Sequence, residues 1–202
     1  MKEEFYIVDE LTGYARAIGD ERQIIVEECP VCGSAIRKRK NEKLKLHFEG
    51  KRMGDYYYTH TCNLISKRML QLLKDNGITG FVEKEIECTG WYDRHGNKLD
   101  MDFEYVELEV TGRGGDLLDI DGEKVKKCPE CNNLDWDSLE EVEGLSIGEE
   151  WDGSDIFYFD DWKGAVIVTQ RVKELLESEG MKNIDFTKLS EYEPECFNLL
   201  PQ

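Results

Sequence analysis

The chain has 202 residues, enough to bury a core without covalent staples. Hydrophobic residues make up 40% and charged residues 35%, which excludes a disordered chain. A formal net charge of −18 opposes phosphate backbones and makes nucleic acid an unfavoured partner.

The acid is unevenly placed. Residues 1–75 carry 14 Lys/Arg against 12 Asp/Glu, whereas residues 76–202 carry 12 against 32. Solubility alone accounts for such a surface, and so does attraction of a basic partner. The acidic start Met1-Lys-Glu-Glu-Phe lacks the basic, then apolar, pattern of a secretory signal. No stretch approaches the roughly 18 apolar residues of a membrane span. A cytoplasmic protein with reduced thiols is expected. Its seven cysteines cannot all pair as disulfides.

Phe5–Val8 and Gln23–Val26 read as short strands ending in a turn, Cys29-Pro-Val-Cys-Gly33. The basic run Arg37-Lys-Arg-Lys-Asn-Glu-Lys-Leu-Lys45 resembles a nucleic-acid patch. Directly after the cysteine turn it reads better as the solvated tip of a hairpin. Leu44–Phe48 is a further strand. His60-Thr-Cys62 could add metal ligands but sits in an aromatic run suited to the core. A helix follows, with Ser66 as N-cap, Ile65, Met69, Leu72 and Leu73 as one apolar stripe, and Gly77 just past its end. Phe81–Glu87 and Tyr105–Val110 read as strands; Gly112-Arg-Gly-Gly and Asp121-Gly read as turns.

The second turn is Cys128-Pro-Glu-Cys-Asn132. The strand Ile156–Phe159 precedes a second helix with Thr169 as N-cap, Val168, Val172, Leu175 and Leu176 as its stripe, and Gly180 at its end. Ile184–Leu189 is the last strand. Arg68, Leu72, Leu73 and Gly77 match Arg171, Leu175, Leu176 and Gly180 at a constant offset. The expected fold is α+β, one domain over 1–202 made of two pseudo-repeated halves, about 25–90 and 125–190. Each half holds a cysteine turn, short antiparallel strands and one amphipathic helix.

Two C-x-x-C turns supply the four soft ligands of a tetrahedral ion, and one structural Zn2+ held by Cys29, Cys32, Cys128 and Cys131 is the expected cofactor. The residue after each second cysteine needs a left-handed backbone, which Gly33 takes freely and Asn132 tolerates. A redox pair and an iron–sulfur cluster are the rival readings of the same residues. Four thiolates leave no position for water, which disfavours catalytic zinc. Cys88 and Cys196 read as inert thiols; His47 and His95 lack a triad or metal pattern. No catalytic residues stand out. Glu149, Glu150, Trp151, Asp152, Asp155, Asp160 and Asp161, with Phe157, Tyr158, Phe159 and Trp162 among them, could form an aromatic surface rimmed by carboxylates that binds a protein partner. The competing reading places these aromatics in the core of a strand.

Cys29-Pro-Val-Cys-Gly33, Cys128-Pro-Glu-Cys131, Trp151-Asp-Gly-Ser-Asp-Ile-Phe157 and Val168–Leu176 together resemble the double-CXXCG family, paralogues of the Myxococcus type associated with polymorphic-toxin loci. The resemblance spans about residues 25–190 and is densest after Cys128. Asn132 departs from it, where the motif has glycine. The Trp151 motif and its helix also resemble a related immunity family without zinc. The resemblance implies an immunity protein that binds and neutralises a bacterial protein toxin without chemistry of its own. The acidic half suggests that the toxin is basic. A zinc-ribbon protein associated with nucleic acid through residues 37–45, or with a regulatory role, is the alternative. An enzyme with an unrecognised pocket is a third.

Overall fold

A computed structural model describes residues 3–20, 23–40, 43–59, 62–101, 104–134 and 142–193. The architecture is mixed α+β, built mainly of strands with two helices among the described residues. Each helix follows a hairpin. In the first unit β6 (Tyr56–Thr59) and β7 (Cys62–Ser66) lead into α1 (Lys67–Asp75), and β8 (Phe81–Lys84) follows. In the second, β14 (Ile156–Phe159) and β15 (Trp162–Thr169) lead into α2 (Gln170–Ser178), and β16 (Asp185–Lys188) follows. A further strand fills the middle of each sheet. β10 (Tyr105–Val110) pairs antiparallel with β7 and β8, and β1 (Phe5–Asp9) pairs antiparallel with β15 and β16. The two sheets thus run β6-β7-β10-β8 and β14-β15-β1-β16, the latter extended at one edge by the short β11 (Gly112–Arg113).

Alternation along these strands sends side chains to both faces, and both faces are covered. Ile65, Leu108, Val8, Val166, Val168 and Ile156 meet Met69, Leu73, Val172 and Leu176 of the helices in a central core. Their strand neighbours point outward into two flanking cores. Leu64, Tyr57 and Tyr105 pack on Leu46, Phe48 and Trp91 of a three-stranded sheet formed by β2 (Arg16–Gly19), β5 (Leu44–Glu49) and β9 (Ile86–Tyr92). Ile7, Ile167, Phe157 and Phe159 pack under Leu117, Val125, Leu134, Leu145 and Leu189. Full burial of each such side chain contributes about 1.5–3 kcal/mol, so the shared central core binds the two units strongly.

Polar ties reinforce that core in a reciprocal pattern. Arg68 of α1 donates to the carbonyl of Glu179, at the end of α2, and Arg171 of α2 donates to the carbonyl of Asn76, at the end of α1. Buried Asp55, before the first hairpin, accepts from Ser66 Oγ at 2.6 Å and from the backbone N–H of Lys182 at 2.9 Å. Buried Asp155, before the second, accepts from Thr169 Oγ1 at 3.3 Å and from the N–H of Thr79 at 3.0 Å. Each aspartate therefore fastens its own helix start to the segment leaving the other helix.

Several expectations are met and several are corrected. Ser66 caps α1 by accepting from Met69 N at 3.1 Å, and Gly77 and Gly180 end their helices at φ 63° and 61°. Thr169 makes no side-chain cap, because its hydroxyl turns to Asp155. Ile65 and Val168 lie in strands that run directly into the helices; they still share the helices' core. Gly112-Arg113 is a strand, parallel to β14, rather than a turn. The basic run is not a hairpin tip: Ala35–Arg39 forms β4, the return strand paired with β3 (Ile24–Glu28), and Leu44 begins β5. The turn between β3 and β4 is the cysteine turn itself. Tyr56-Tyr57-Tyr58 and Cys62-Asn63-Leu64 are strands whose brevity left no clear alternation to read. His60 and Cys196 lie outside the described residues.

Candidate metal centre

The two cysteine turns have the same local build. Glu28 pairs with Ala35 at the end of the β3–β4 ribbon, and Lys127 bridges to Leu134 around the second turn. Within each, the N–H of Gly33 or Asn132 donates to the carbonyl of Cys29 or Cys128 at 2.9 Å. The N–H of Cys29 donates to Ser34 and that of Cys128 to Asn133, at 2.9 and 2.8 Å. Gly33 (φ 73°) and Asn132 (φ 56°) take the left-handed backbone that the spacing predicts. Asn132→Gly should therefore leave the melting temperature and metal content close to wild type. Asn132→Val should cost about 1–3 kcal/mol, because a β-branched residue resists this conformation. Thermal melts with metal analysis check both.

The turns face one another although Cys32 and Cys128 stand 96 positions apart in the sequence. The Cys29 and Cys128 sulfurs lie 3.8 Å apart and those of Cys32 and Cys131 3.5 Å apart, with all four within 4.8 Å of one another. Tetrahedral zinc at Zn–S of about 2.3 Å places its sulfurs about 3.8 Å apart, so the donor set fits the ion in number, softness and spacing. Asn133 Nδ2 donates to Ser34 Oγ at 2.7 Å and joins the two turns directly, a contact the sequence reading missed. Cys29 and Cys128 are buried, while Cys32 is exposed and Cys131 half-buried, so the cluster sits at the protein's edge.

The Cys32 and Cys131 thiols are shifted in opposite directions. Hydrogen bonds from the Ser34 side chain and backbone hold the Cys32 thiol down to about 6. At Cys131 a hydrogen bond from the Asn133 backbone acts downward, but desolvation and the hydrogen bonds to Cys32, Cys29 and Cys128 push it up to about 12. Negative charge crowds among the four sulfurs once the first has ionised, and a bound dication would relieve it. Cys62 and Cys88 lie elsewhere. Cys62 is buried in the core with Leu64 and Trp91, and Cys88 packs at that core's edge with its thiol on the Gly90 carbonyl.

The acidic and aromatic segment is largely engaged within the protein. Trp151 packs edge-on against Phe5, with ring centroids 5.0 Å apart, and donates its indole N–H to the Ser154 carbonyl. Asp152 accepts from the N–H groups of Arg113 and Ser154; Asp160 pairs with the Arg113 side chain. Asp161 accepts from Leu117 N and pairs with Lys127, the residue before Cys128. Asp155 is the buried tie described above. Glu149, Glu150, Asp152 and Asp160 are exposed, whereas Phe157 and Phe159 are buried.

The basic run is also partnered. Lys38 pairs with Glu27, Lys43 with Glu85 and Lys45 with Glu87, at 2.6, 3.0 and 2.7 Å. Arg39 reaches inward to buried Glu107 at 2.8 Å. No helix among the described residues is long and apolar enough to cross a membrane.

Fold and site together define a mixed α+β protein whose remote cysteine turns converge on a four-thiol cluster fit for a metal ion. The model of the immunity protein 43 family matches residues 38–199, and the chain belongs to that family. The match takes in Cys128 and Cys131 but begins after Cys29 and Cys32. No curated protein matches the chain. The immunity class implied by the motif resemblance agrees with this family, whose name is not the double-CXXCG one.

Proposed function

We propose that the chain is a cytoplasmic immunity protein that neutralises a cognate, basic bacterial toxin by tight binding, with no catalysis of its own. The observation that carries this reading is the family match over residues 38–199. We further propose that Cys29, Cys32, Cys128 and Cys131 hold one structural zinc ion, supported by the sulfur spacing and the paired left-handed turns. The twin C-x-x-C turns also support kinship with the double-CXXCG type. The matching strand orders and the reciprocal Arg68 and Arg171 ties support a single domain built from two pseudo-repeated halves. The pairing of Lys38, Arg39, Lys43 and Lys45 weighs against nucleic-acid binding through the basic run.

For the partner surface the acidic segment remains the proposal, led by exposed Glu149, Glu150, Asp152 and Asp160. Trp151, Asp155 and Asp161 support it from behind. Co-expression tests the role. A toxin-like gene adjoining this one should arrest growth alone and be tolerated together with the chain; arrest in both cases would refute the reading. Charge reversal at Glu149 and Glu150 should slow complex formation roughly ten-fold at low salt and less at high salt, because rim charges act through steering. Stopped-flow mixing reads that rate.

A further inference from the structure

A small cavity opens where the first unit's hairpin meets the second unit's sheet, away from the cysteines. Its volume is about 130 Å³, and one part of its wall is formed by Tyr56 and Tyr58 of β6, Asn63 of β7, Tyr158 of β14 and the acids Asp9 and Glu10. Val8 of β1 with residues 164–166 of β15 form an apolar part, against which a side-chain stem could lie. The aromatic part is held rigidly. Buried Tyr56 donates its hydroxyl to Asn63 Oδ1 at 2.7 Å, and Asn63 Nδ2 donates to the Tyr158 hydroxyl at 2.7 Å. Asn63 is itself only 3% exposed, so this chain fixes two of the three rings from within the core. Tyr58, 43% exposed, stands at the mouth. Glu10 is anchored there too, its Oε2 accepting from the N–H of Tyr58 at 3.2 Å.

The lining limits what can enter. An anion would meet two carboxylates, and an apolar side chain would seal Glu10 away from water without a counter-charge. A cation gains from both features, since tyrosine faces attract positive charge and the carboxylates neutralise it. Among the described residues no lysine or arginine lines the cavity, although Arg37 acts on Tyr58 electrostatically. Partial burial also pushes the Glu10 carboxyl above its ordinary range, and a cation brought beside it would favour its ionised form again. Separated acceptors (the two oxygens of the Glu10 carboxylate and the second lone pair of the Tyr158 hydroxyl) suit the planar, multi-donor guanidinium better than a compact ammonium.

We propose that this cavity is a socket for an arginine side chain presented by the protein partner. The identity of that partner as a toxin rests on the immunity reading; the socket's chemistry does not. An inserted arginine would lie among the tyrosine side chains and be paired at its tip, and buried arginine anchors of this kind are common interface hot spots. The socket would then register a basic partner on the two-unit body at a point where both units contribute.

Titration of the full-length protein with N-acetyl-arginine methylamide, followed by the aromatic proton resonances of Tyr58 and Tyr158, tests the socket without any toxin. Saturable shifts are expected, with half-saturation on the order of a few millimolar. The uncharged citrulline analogue should give none. Glu10→Gln should weaken binding roughly five-fold, whereas Glu123→Gln, an exposed acid elsewhere, should not. Tyr58→Leu should weaken it as well, which guards against misfolding in one variant. Absence of saturable shifts, equal binding of citrulline, or unchanged binding in Glu10→Gln and Tyr58→Leu would overturn the proposal. None of these outcomes bears on whether the chain confers immunity.

Discussion

Replacing Cys29 or Cys128 by serine is expected to lower the melting temperature by about 10 °C, and a chelator that strips metal from the proposed site should do the same. The size of the effect follows from the distance the cross-link spans. A link between Cys32 and Cys128 closes a loop of about a hundred residues; by analogy with a disulfide this restricts the unfolded chain by on the order of 4 kcal/mol. In a domain of this length each kcal/mol moves the melting temperature by roughly 2–4 °C. The β3–β4 ribbon that carries Cys29 and Cys32 is tied to its surroundings near its base, where Gln23 Nε2 donates to the Lys43 carbonyl and Gln23 Oε1 accepts from Lys45 N–H, and through Arg39, which pairs with Glu107. At its far end, the bond from Asn133 to Ser34 is the tie to the second turn found among the described residues besides the cysteine cluster itself. Differential scanning calorimetry with metal analysis reads both quantities. Cys88→Ser serves as the control, with metal content unchanged. A melting curve unmoved by verified loss of metal would refute a structural role. Iron with visible absorbance would replace zinc by a cluster.

Glu107→Ala is expected to destabilise the protein by about 3 kcal/mol, because it removes a carboxylate hydrogen-bonded at 2.8 Å to the nearly buried Arg39 guanidinium. Glu107 and Arg39 side chains are only 7% and 16% exposed, and they join the ribbon carrying the cysteines to the middle strand of the first sheet. The pair is worth less than that figure. Exchanging both for apolar residues, Arg39→Met with Glu107→Leu, should restore most of the loss, since no charge is then left buried. Glu85→Ala breaks the exposed pair with Lys43 and should cost under about 1 kcal/mol. Urea denaturation of the three variants reads the differences. Equal losses in Glu107→Ala and Glu85→Ala would show that Arg39 finds water or another partner.

The features legible in the sequence are those with a local cause. The left-handed residues after the cysteine pairs, Gly33 and Asn132, are dictated by the turns themselves, and Gly77 and Gly180 by the helix ends. The helix repeat was legible because Arg68 and Arg171, with Leu73 and Leu176, keep the same spacing to those glycines. The helix starts, with Ser66 and Thr169 at the N-cap positions, are legible too; the apolar stripes alone reach one residue too far back, because Ile65 and Val168 serve from a strand the same core that they would serve from a helix. Long-range partnerships left no trace. Nothing local tells that β1 completes the sheet of β14, β15 and β16, that Asp155 fastens Thr79, or that Arg39 turns inward to Glu107. The internal engagements of the acidic segment left no trace either: composition counts the carboxylates of Asp152, Asp160 and Asp161 as surface charge, whereas each also holds a backbone amide or a basic side chain. The tyrosine pocket is a product of tertiary structure, since it takes Tyr56 and Tyr58 from one unit and Tyr158 from the other.

The central claim, neutralisation by binding without chemistry, is tested most directly by mixing purified toxin from the adjoining gene with this chain. The complex is isolated by size exclusion, and the toxin is weighed by mass spectrometry after denaturing release. The account predicts a stoichiometric complex in which the toxin is inactive, and from which it emerges with unchanged mass and, after refolding, full activity. A toxin that loses activity while no complex forms, or that emerges cleaved or covalently altered, would contradict it.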